Sequence, residues 1–516
     1  MNLNLERFER ISKSMIDTLK RFPMASFSAF LLTIILISLI ELEFYQRDSE
    51  IVILATKVAF VSSLGIILFP ALHLFHPSFW SRVVGIGVLV LYYYILPPNI
   101  HDSQSNIFFR HTLLILSLFF MLIWAPFVSV KISNKNIWEW TQNMILSLFA
   151  TIFFSLILYA GLSLAMYAID KLFEIDIASR RYVQLAIMVF GLYGVNLFFS
   201  QIPKYILLLQ VRTYTKMEII FTKYILTSLA IGYFVILFTY DIKILLNLEF
   251  PKGILAWLTV AFSIIAIATY LFWTPLWEEK DEKFKRYIQI AILIQTLILG
   301  MTIWIRVDEY GFTESRYFLS LFGVWLFLMS IYFILIKSAS YKWLFITLSL
   351  LIIGSQFGSY SASEVSKTDQ IERLYIIIDE AKPISDELDT KTKQRISNII
   401  TYLYDSHGRD SLSPIIPDIV QKHSLLYDNN STNSEYFPSF AIKELGFKSL
   451  YNREYIDEDI YFVTVTLDNF IKLLRDELDG RDIKVRLLTN DISLLKDGNI
   501  SSLDCQIISS KKSPKN

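Results

Sequence analysis

Residues 51–75 read IVILATKVAFVSSLGIILFPALHLF, a stretch with one lysine and no acidic residue. A helix of roughly 20 mostly apolar residues crosses the hydrocarbon layer of a bilayer, which is about 30 Å thick. A helix that is apolar on every face lies either in the core of a large protein or in a membrane. The stretch therefore predicts a membrane-spanning helix, provided that the chain contains others like it.

Ten further stretches of this kind lie on both sides of residues 51–75, and the third in chain order is the shortest. The eleven predicted spans are 23–45, 51–75, 83–96, 108–130, 144–168, 182–202, 218–240, 253–277, 287–305, 317–337 and 343–360. We expect an all-α polytopic membrane bundle of about eleven transmembrane helices over residues 23–360. So many apolar stretches have too much apolar surface for a single soluble core.

The overall composition agrees with a membrane protein and excludes several other classes. Hydrophobic residues make up 54% of the 516 positions and charged residues 19%, against about 25% charged in soluble proteins. The formal net charge is zero, so nucleic acid is not an expected partner. The single cysteine, Cys505, excludes an internal disulfide. No Walker loop, G-x-S-x-G, H-E-x-x-H or Rossmann motif is present, and no cofactor is predicted.

The chain becomes polar after residue 360, and roughly half of its charged residues follow Ser363. Residues 391–404 have helical apolar spacing, and 460–467 has the strongest strand pattern of the chain. A helix is predicted at 468–478, with strands at 483–488 and 505–509. We expect a small soluble α+β domain over residues 361–510 and a loose tail at 511–516.

The orientation of the bundle is predicted from the positive charges of its short loops, because cytoplasmic loops are enriched in Lys and Arg. Residues 1–22 form a basic amphipathic segment, taken as cytoplasmic. The other loops then predicted to be inside carry Arg82, Lys131, Lys135, Lys204, Arg212, Lys216, Lys280, Lys283, Lys285, Arg286, Lys337 and Lys342. Eleven crossings place the N-terminus inside and the C-terminal domain outside.

Residues 306–317, RVDEYGFTESRY, are the most distinctive stretch. They resemble the signature of a bacterial membrane-protein family, domain of unknown function 4153, in which Tyr-Gly-x-Thr-Glu-x-Arg-Tyr joins two late helices. The stretches FTKYIL at 221–226, FPKG at 250–253 and SASEVS at 361–366 are also similar, as are Tyr233, Tyr240, Gly358, Gln370, Arg373 and Leu374. The resemblance is good over 182–374 and implies a bacterial cytoplasmic-membrane protein with no known activity. Thr227-Ser228 departs from the family, where a proline is expected, so this helix is expected to be straighter.

The motif at 306–317 supplies the candidate site. Its residues are Arg306, Asp308, Glu309, Tyr310, Gly311, Thr313, Glu314, Arg316 and Tyr317. One interpretation is structural: a salt-bridge cluster fixes a tight turn between two membrane helices, with Thr313 as the N-cap of the second. The other interpretation is an ion, headgroup or substrate site lined by Arg306, Glu309 and Arg316. No metal site is predicted.

Three classes of function remain open. The favoured one is an envelope-associated protein that senses or binds something through its outer domain, with membrane lipids and an unidentified envelope ligand as partners. A transporter or channel is the first alternative. Asn196 and Gln295, near the middle of their spans, are expected to form interhelical hydrogen bonds, and no chain of buried carboxylates is visible. The second alternative is a membrane-embedded enzyme acting on lipid or cell-wall precursors, with arginines that grip a phosphate.

Overall fold

A computed structural model describes residues 17–42, 49–97, 106–203, 212–247, 254–381, 388–427 and 436–447, and the backbone of three later strands. Within these ranges, each predicted span coincides with one helix. The helices are α1 (Pro23–Leu42), α2 (Glu50–Phe75), α3 (Phe79–Ile95), α4 (Asn106–Trp124), α5 (Asn134–Phe173), α6 (Ser179–Ser200), α7 (Lys216–Asn247), α8 (Ile254–Phe272), α9 (Glu282–Tyr310), α10 (Glu314–Leu335) and α11 (Lys342–Gly354). Most of the basic N-terminal segment and most of the loop after α3 lie outside the described residues.

Nine of the described helices are long and apolar enough to cross a membrane; α3 and α11 are shorter. Helix α11 has 13 residues. At 1.5 Å per residue it is about 20 Å long, less than a hydrocarbon layer of about 30 Å. The structure therefore supports nine crossings, and the predicted count of eleven is not shown.

The outer surface of the helices is apolar. The side chains of Phe149, Leu164 and Trp304 are 66%, 68% and 75% exposed. Polar side chains such as Ser117 and Thr33 are instead buried between helices. A water-soluble protein does not expose such a continuous apolar surface. The chain is a multi-pass helical membrane protein.

Hydrogen bonds between side chains hold the two short helices against the bundle. Ser349 of α11 and Ser117 of α4 lie 3.0 Å apart at their hydroxyl oxygens, and each hydroxyl also donates to the other's carbonyl oxygen. In α3, the Tyr92 hydroxyl lies 2.8 Å from Nδ1 of His111, whose Nε2 lies 2.7 Å from the Ser63 hydroxyl. In lipid such bonds, together with close packing, replace the hydrophobic driving force between helices.

Helix α7 contains a π-helical turn at Phe221–Leu226. It lies directly before Thr227, where the sequence departs from its family. The Thr227 hydroxyl donates to the carbonyl oxygen of Thr222 at 2.7 Å. The absence of a proline at Thr227-Ser228 predicts a straighter helix. A π-turn is a local irregularity of a helix, so α7 is nevertheless irregular just before this point.

The residues described after the bundle form four helices and three strands: α12 (Ala362–Glu380), α13 (Thr390–His407), α14 (Pro417–Tyr427), α15 (Phe437–Glu444), β1 (Tyr461–Val465), β2 (Arg481–Leu487) and β3 (Leu503–Lys512). The strands pair antiparallel in the order β1-β3-β2. Their positions overlap the predicted strands, whereas the predicted helix at 468–478 lies outside the described residues. A single soluble α+β domain in this region is not shown and remains a prediction.

The chain divides into two compact units, and the division differs from the predicted boundary at residue 360. One unit comprises Met1–Glu380 with Thr401–Phe437, and the other Ala381–Ile400 with Pro438–Asn516. Helix α12 therefore groups with the bundle, although its polar sequence placed it in the C-terminal domain.

Candidate functional site

The motif at 306–317 is mostly helical rather than a loop. Helix α9 continues through Arg306 and ends at Tyr310, and α10 begins at Glu314. Only Gly311, Phe312 and Thr313 lie between them, and we call these three residues the motif turn. The charged residues of the motif therefore flank the turn, with Asp308 and Glu309 exposed on the last turn of α9 and Arg316 on the first turn of α10.

Gly311 has a backbone conformation that other residues avoid. Its φ is 74° and its ψ is −179°, a region that is essentially restricted to glycine. Its N–H donates to the carbonyl oxygen of Val307 at 2.8 Å and so closes α9. A Cβ at this position would overlap Asp369 Oδ2 and the side chain of Arg373. Both the turn and the neighbouring helix therefore require glycine here.

Helix α12 contacts the C-terminus of α9 through Arg373. Its Nη2 donates to the carbonyl oxygen of Val307 at 2.9 Å, and its Nη1 to that of Asp308 at 3.1 Å. Its Nε donates to Asp369 Oδ2, one helical turn earlier on α12, at 3.1 Å. The last four carbonyl groups of a helix lack intrahelical partners and carry a partial negative charge. The planar guanidinium group of arginine is well suited to donate to two of these carbonyl oxygens at once.

Two further side chains bind the remaining carbonyl groups around the motif turn. Gln370 Nε2 donates to the carbonyl oxygens of Tyr310 and Phe312, both at 3.0 Å. Arg316 Nη1 donates to the carbonyl oxygen of Gly311 at 2.8 Å and to that of Tyr310 at 3.3 Å. The turn is thus held by α12 on one side and by the first helical turn of α10 on the other.

Two backbone N–H groups, one in the motif turn and one at the start of α10, are bound by side chains distant in sequence. The Phe312 N–H donates to Asp369 Oδ2 at 2.8 Å, and the Glu314 N–H donates to the Tyr402 hydroxyl at 3.1 Å. Thr313 occupies the predicted N-cap position of α10, but its side chain makes no capping bond. Tyr402, from α13, instead accepts from the N–H of Glu314, the first residue of α10. We call Asp369, Gln370 and Arg373 the α12 clamp.

The aromatic residues of the motif also contact its arginines. The ring of Tyr310 lies 5.7 Å from the guanidinium carbon of Arg306 and 5.6 Å from that of Arg316, within the range of cation–π attraction. The Tyr317 hydroxyl donates to the carbonyl oxygen of Tyr360 at 2.6 Å, close to the start of α12. The nine candidate residues therefore lie together, and several of them serve to position the turn.

A small cavity lies beside the motif turn, between Glu314, Phe318, Arg110 and Gln356. Its volume is about 10 Å³, room for about one water molecule. Arg110 donates to the carbonyl oxygen of Gln356 at 2.7 Å. A lipid headgroup or cell-wall precursor does not fit in this space. Among the described residues, no group of three or more His, Cys, Asp or Glu side chains is placed to hold a metal ion.

His407 lies next to the residue that caps α10. Its ring meets that of Tyr402 edge-on, with the centroids 5.7 Å apart, and its two nitrogens lie 3.5 and 3.4 Å from the hydroxyls of Ser363 and Ser366. Burial, with a smaller effect of the Lys367 charge, lowers the pKa of His407 from 6.5 to about 4. The imidazole is therefore neutral in the folded protein at neutral pH.

We expect the stability of the protein to fall as the pH drops from 6.5 to about 4, the two pKa values of His407. In this window the unfolded chain takes up a proton that the folded His407 excludes, which favours unfolding; below the folded pKa the effect levels off. Thermal unfolding of the full chain in lipid nanodiscs at several pH values measures this. His407→Gln should show a smaller loss over the same window. Equal losses in both proteins would remove His407 as the cause.

These features define a class of protein: a multi-pass helical membrane protein in which the first helix after the bundle clamps a glycine turn between two late membrane helices. The chain belongs to the family described as Domain of unknown function (DUF4153), whose model matches residues 24–373. This match confirms the resemblance. It includes the motif turn and ends at the last residue of the α12 clamp. No curated protein and no solved structure matches the chain.

Sequence reasoning missed two residues of the site, Asp369 and Tyr402. The resemblance included Gln370 and Arg373 but gave them no role. Asp369 lies within the polar helix α12, where a carboxylate is typical of a solvent-facing position. Tyr402 lies on a helix whose apolar spacing predicted only packing. Neither position carries a local signal, because the groups they bind are backbone N–H groups far away in sequence.

Proposed function

We propose that this protein senses or binds a component of the bacterial envelope through its C-terminal region and transmits that event to the membrane bundle. We place it in the cytoplasmic membrane, with its N-terminus inside and its C-terminal region outside. The observation that carries the proposal is the α12 clamp. It joins the first helix after the bundle directly to the end of α9 and to the motif turn that precedes α10.

The chemistry of the clamp suits the transmission of a displacement. Arg373 and Asp369 bind the backbone itself, so a shift of α12 acts on α9 and the motif turn rather than on mobile side chains. If α12 moves away, the carbonyl oxygen of Asp308 and both backbone groups of Phe312 lose their partners, whereas the carbonyls of Val307 and Tyr310 keep Gly311 and Arg316. A buried group that is left unpaired costs roughly 1–3 kcal/mol. The clamp therefore favours two positions of α12, one bound to the motif turn and one released from it, over intermediate positions.

The contacts of the arginines count against an enzyme that acts on phosphate-containing precursors. Arg316 and Arg373 donate to backbone carbonyl groups, and the cavity beside the turn has room for about one water molecule. These observations favour the structural interpretation of the motif over a substrate site. A transporter is the second candidate, and a specific observation favours it: α7 carries a buried carboxyl group, Asp241, on its interface with α9.

A photo-cross-linking experiment in living cells tests the proposal. The cross-linking amino acid p-benzoylphenylalanine replaces Tyr461 of β1 in the full chain, and in a matched control it replaces Tyr287 of α9, which is 62% exposed. We expect irradiation to attach Tyr461→p-benzoylphenylalanine to an extracytoplasmic protein, glycan or lipid. The control, predicted to lie at the cytoplasmic end of its helix, should not capture any of these.

The opposite result has a clear meaning. A reporter enzyme that is active only outside the cytoplasm, fused after Asn516, shows independently where the C-terminus lies. If position 461 captures only cytoplasmic proteins and the reporter is inactive, the proposed orientation is wrong. If the reporter is active but position 461 captures no envelope component, binding through this region is wrong.

A further inference from the structure

Asp241 and Gln295 form a buried polar pair inside the bundle. Asp241 of α7 is 2% exposed and Gln295 of α9 is fully buried. Gln295 Nε2 donates to Asp241 Oδ2 at 2.6 Å. An ionisable side chain in a membrane helix is costly to bury and commonly marks a functional position. The expected interhelical bond of Gln295 is therefore present, and its partner is an acid.

The pair has more acceptors than donors. In the described part of the chain, the second carboxyl oxygen of Asp241, Oδ1, has no hydrogen-bond partner, and neither has the amide oxygen of Gln295, Oε1. Both oxygens are buried, and buried polar atoms are normally paired. The pair is one donor short. This shortage distinguishes it from an ordinary structural hydrogen bond between helices.

In the described residues, neither α8 nor α9 supplies a cation beside Asp241 to compensate a negative charge. Helix α8 contains no Asp, Glu, Lys, Arg or His, and α9 contains none between Tyr287 and Ile305. On α7 itself, Lys243 is exposed. An isolated buried carboxylate costs far more than its neutral form, and such a group takes up a proton instead.

We propose that Asp241 and Gln295 form a proton-binding site within the membrane bundle. The carboxylate accepts a proton from water and becomes a carboxylic acid, which supplies the missing donor. A carboxylic acid and a primary amide can then pair reciprocally: the amide N–H donates to one carboxyl oxygen, and the acid O–H donates to the amide oxygen. One proton satisfies both unpaired oxygens and removes the charge.

The site lies where the loss of its proton has consequences. Gln295 is on α9, the helix that ends at the motif turn, and Asp241 is on α7, which contacts both α8 and α9. Loss of the proton leaves an uncompensated carboxylate between these helices and favours separation of α7 from α9, or entry of water or a cation. Proton binding therefore couples the packing of the bundle to pH or to proton movement across the membrane. This inference does not depend on the envelope ligand.

Infrared difference spectroscopy tests the proposal on the full chain in lipid vesicles. We expect the wild type to show, at neutral pH, the carbonyl stretching band of a protonated carboxylic acid, shifted on exchange into heavy water. Asp241→Asn, which keeps the shape and lacks the acid, should lose the band completely. Gln295→Leu should keep the band and shift it, because the acid then lacks its amide partner. The control Glu139→Gln removes the other buried carboxyl of the described chain and should leave the band unchanged.

Several outcomes would overturn the proposal. One is a wild-type spectrum without the band; another is a band that disappears in Glu139→Gln but remains in Asp241→Asn. If sodium chloride, unlike choline chloride, stabilises the wild type but not Asp241→Asn, the occupant is a sodium ion and not a proton. If Asp241→Asn does not fold, the wild type labelled with isotopic aspartate can be measured instead. The label shifts the band if an aspartate carries the proton, and Asp241 is the only buried aspartate among the described residues. A band that the label does not shift would rule out Asp241.

Discussion

Replacing Gly311 with alanine is expected to remove most of the folded protein. Alanine at φ 74° and ψ −179° costs about 1–3 kcal/mol in backbone strain. The new Cβ also overlaps Asp369 Oδ2 and the side chain of Arg373, and overpacking of this kind costs about 1–3 kcal/mol more. A loss of this size is a large fraction of the stability of a typical protein. The measurement is the amount of monodisperse fluorescent fusion protein on size exclusion, with its melting temperature.

Two other glycines separate the causes. Gly300 lies within α9 with no atom near the position of a Cβ, so Gly300→Ala should leave the yield unchanged or raise it slightly. Gly358 has a φ of 79° but open space around it, so Gly358→Ala should cost only backbone strain and no steric overlap. We expect losses in the order Gly300, Gly358, Gly311. If Gly311→Ala behaves like Gly358→Ala, α12 does not pack against the turn as described.

Replacing Arg373 with alanine should lower the free energy of unfolding by about 2–3 kcal/mol, as expected when hydrogen bonds from a charged group are lost. The substitution removes the donors to the carbonyl oxygens of Val307 and Asp308 and the ion pair with Asp369. Arg373→Lys should recover only part of the loss, because an ammonium group cannot bind two carbonyls in the geometry of a guanidinium. Melting temperatures of the full chain in nanodiscs give the comparison.

Glu372→Ala provides the control for Arg373. It removes a charged side chain from the exposed face of the same helix, where substitutions usually change stability by less than about 0.5 kcal/mol. A result in which Arg373→Ala is as stable as Glu372→Ala contradicts the clamp. If stability is normal but a cellular phenotype appears, Arg373 acts on a ligand rather than on the turn.

The sequence predicted the positions of the helices well because membrane helices need only length and apolarity. The predicted ends were less accurate where a helix continues into polar residues. Helix α9 extends to Tyr310, beyond its predicted end at residue 305, and α7 extends to Asn247, beyond its predicted end at residue 240. The second error has a consequence. Asp241 lies one residue beyond the predicted span, so the sequence pattern does not mark it as a carboxyl group buried within a membrane helix.

The clamp could not be predicted from the motif alone. The residues of the motif suggested ion pairs with one another, since Arg306, Glu309 and Arg316 lie close in sequence. In the structure, Arg316 binds backbone carbonyls within the motif and Tyr310 contacts both arginines, while side chains of α12 and α13 bind further backbone groups. Hydrogen bonds to backbone groups leave no complementary residue type in the sequence, so pairing of side chains by charge does not reveal them.

The sequence by itself determined that this chain is a multi-pass helical membrane protein of a family with a glycine turn between two late helices, because each of these properties is local. Apolar length fixes a membrane helix, and a conformation open only to glycine fixes the turn. The tertiary structure alone decided that α12 belongs with the bundle and that Asp241 meets Gln295. Both depend on which groups approach one another after packing. Unpaired carbonyls at a helix end and an uncompensated carboxyl in an apolar interior acquire partners only when distant helices bring them.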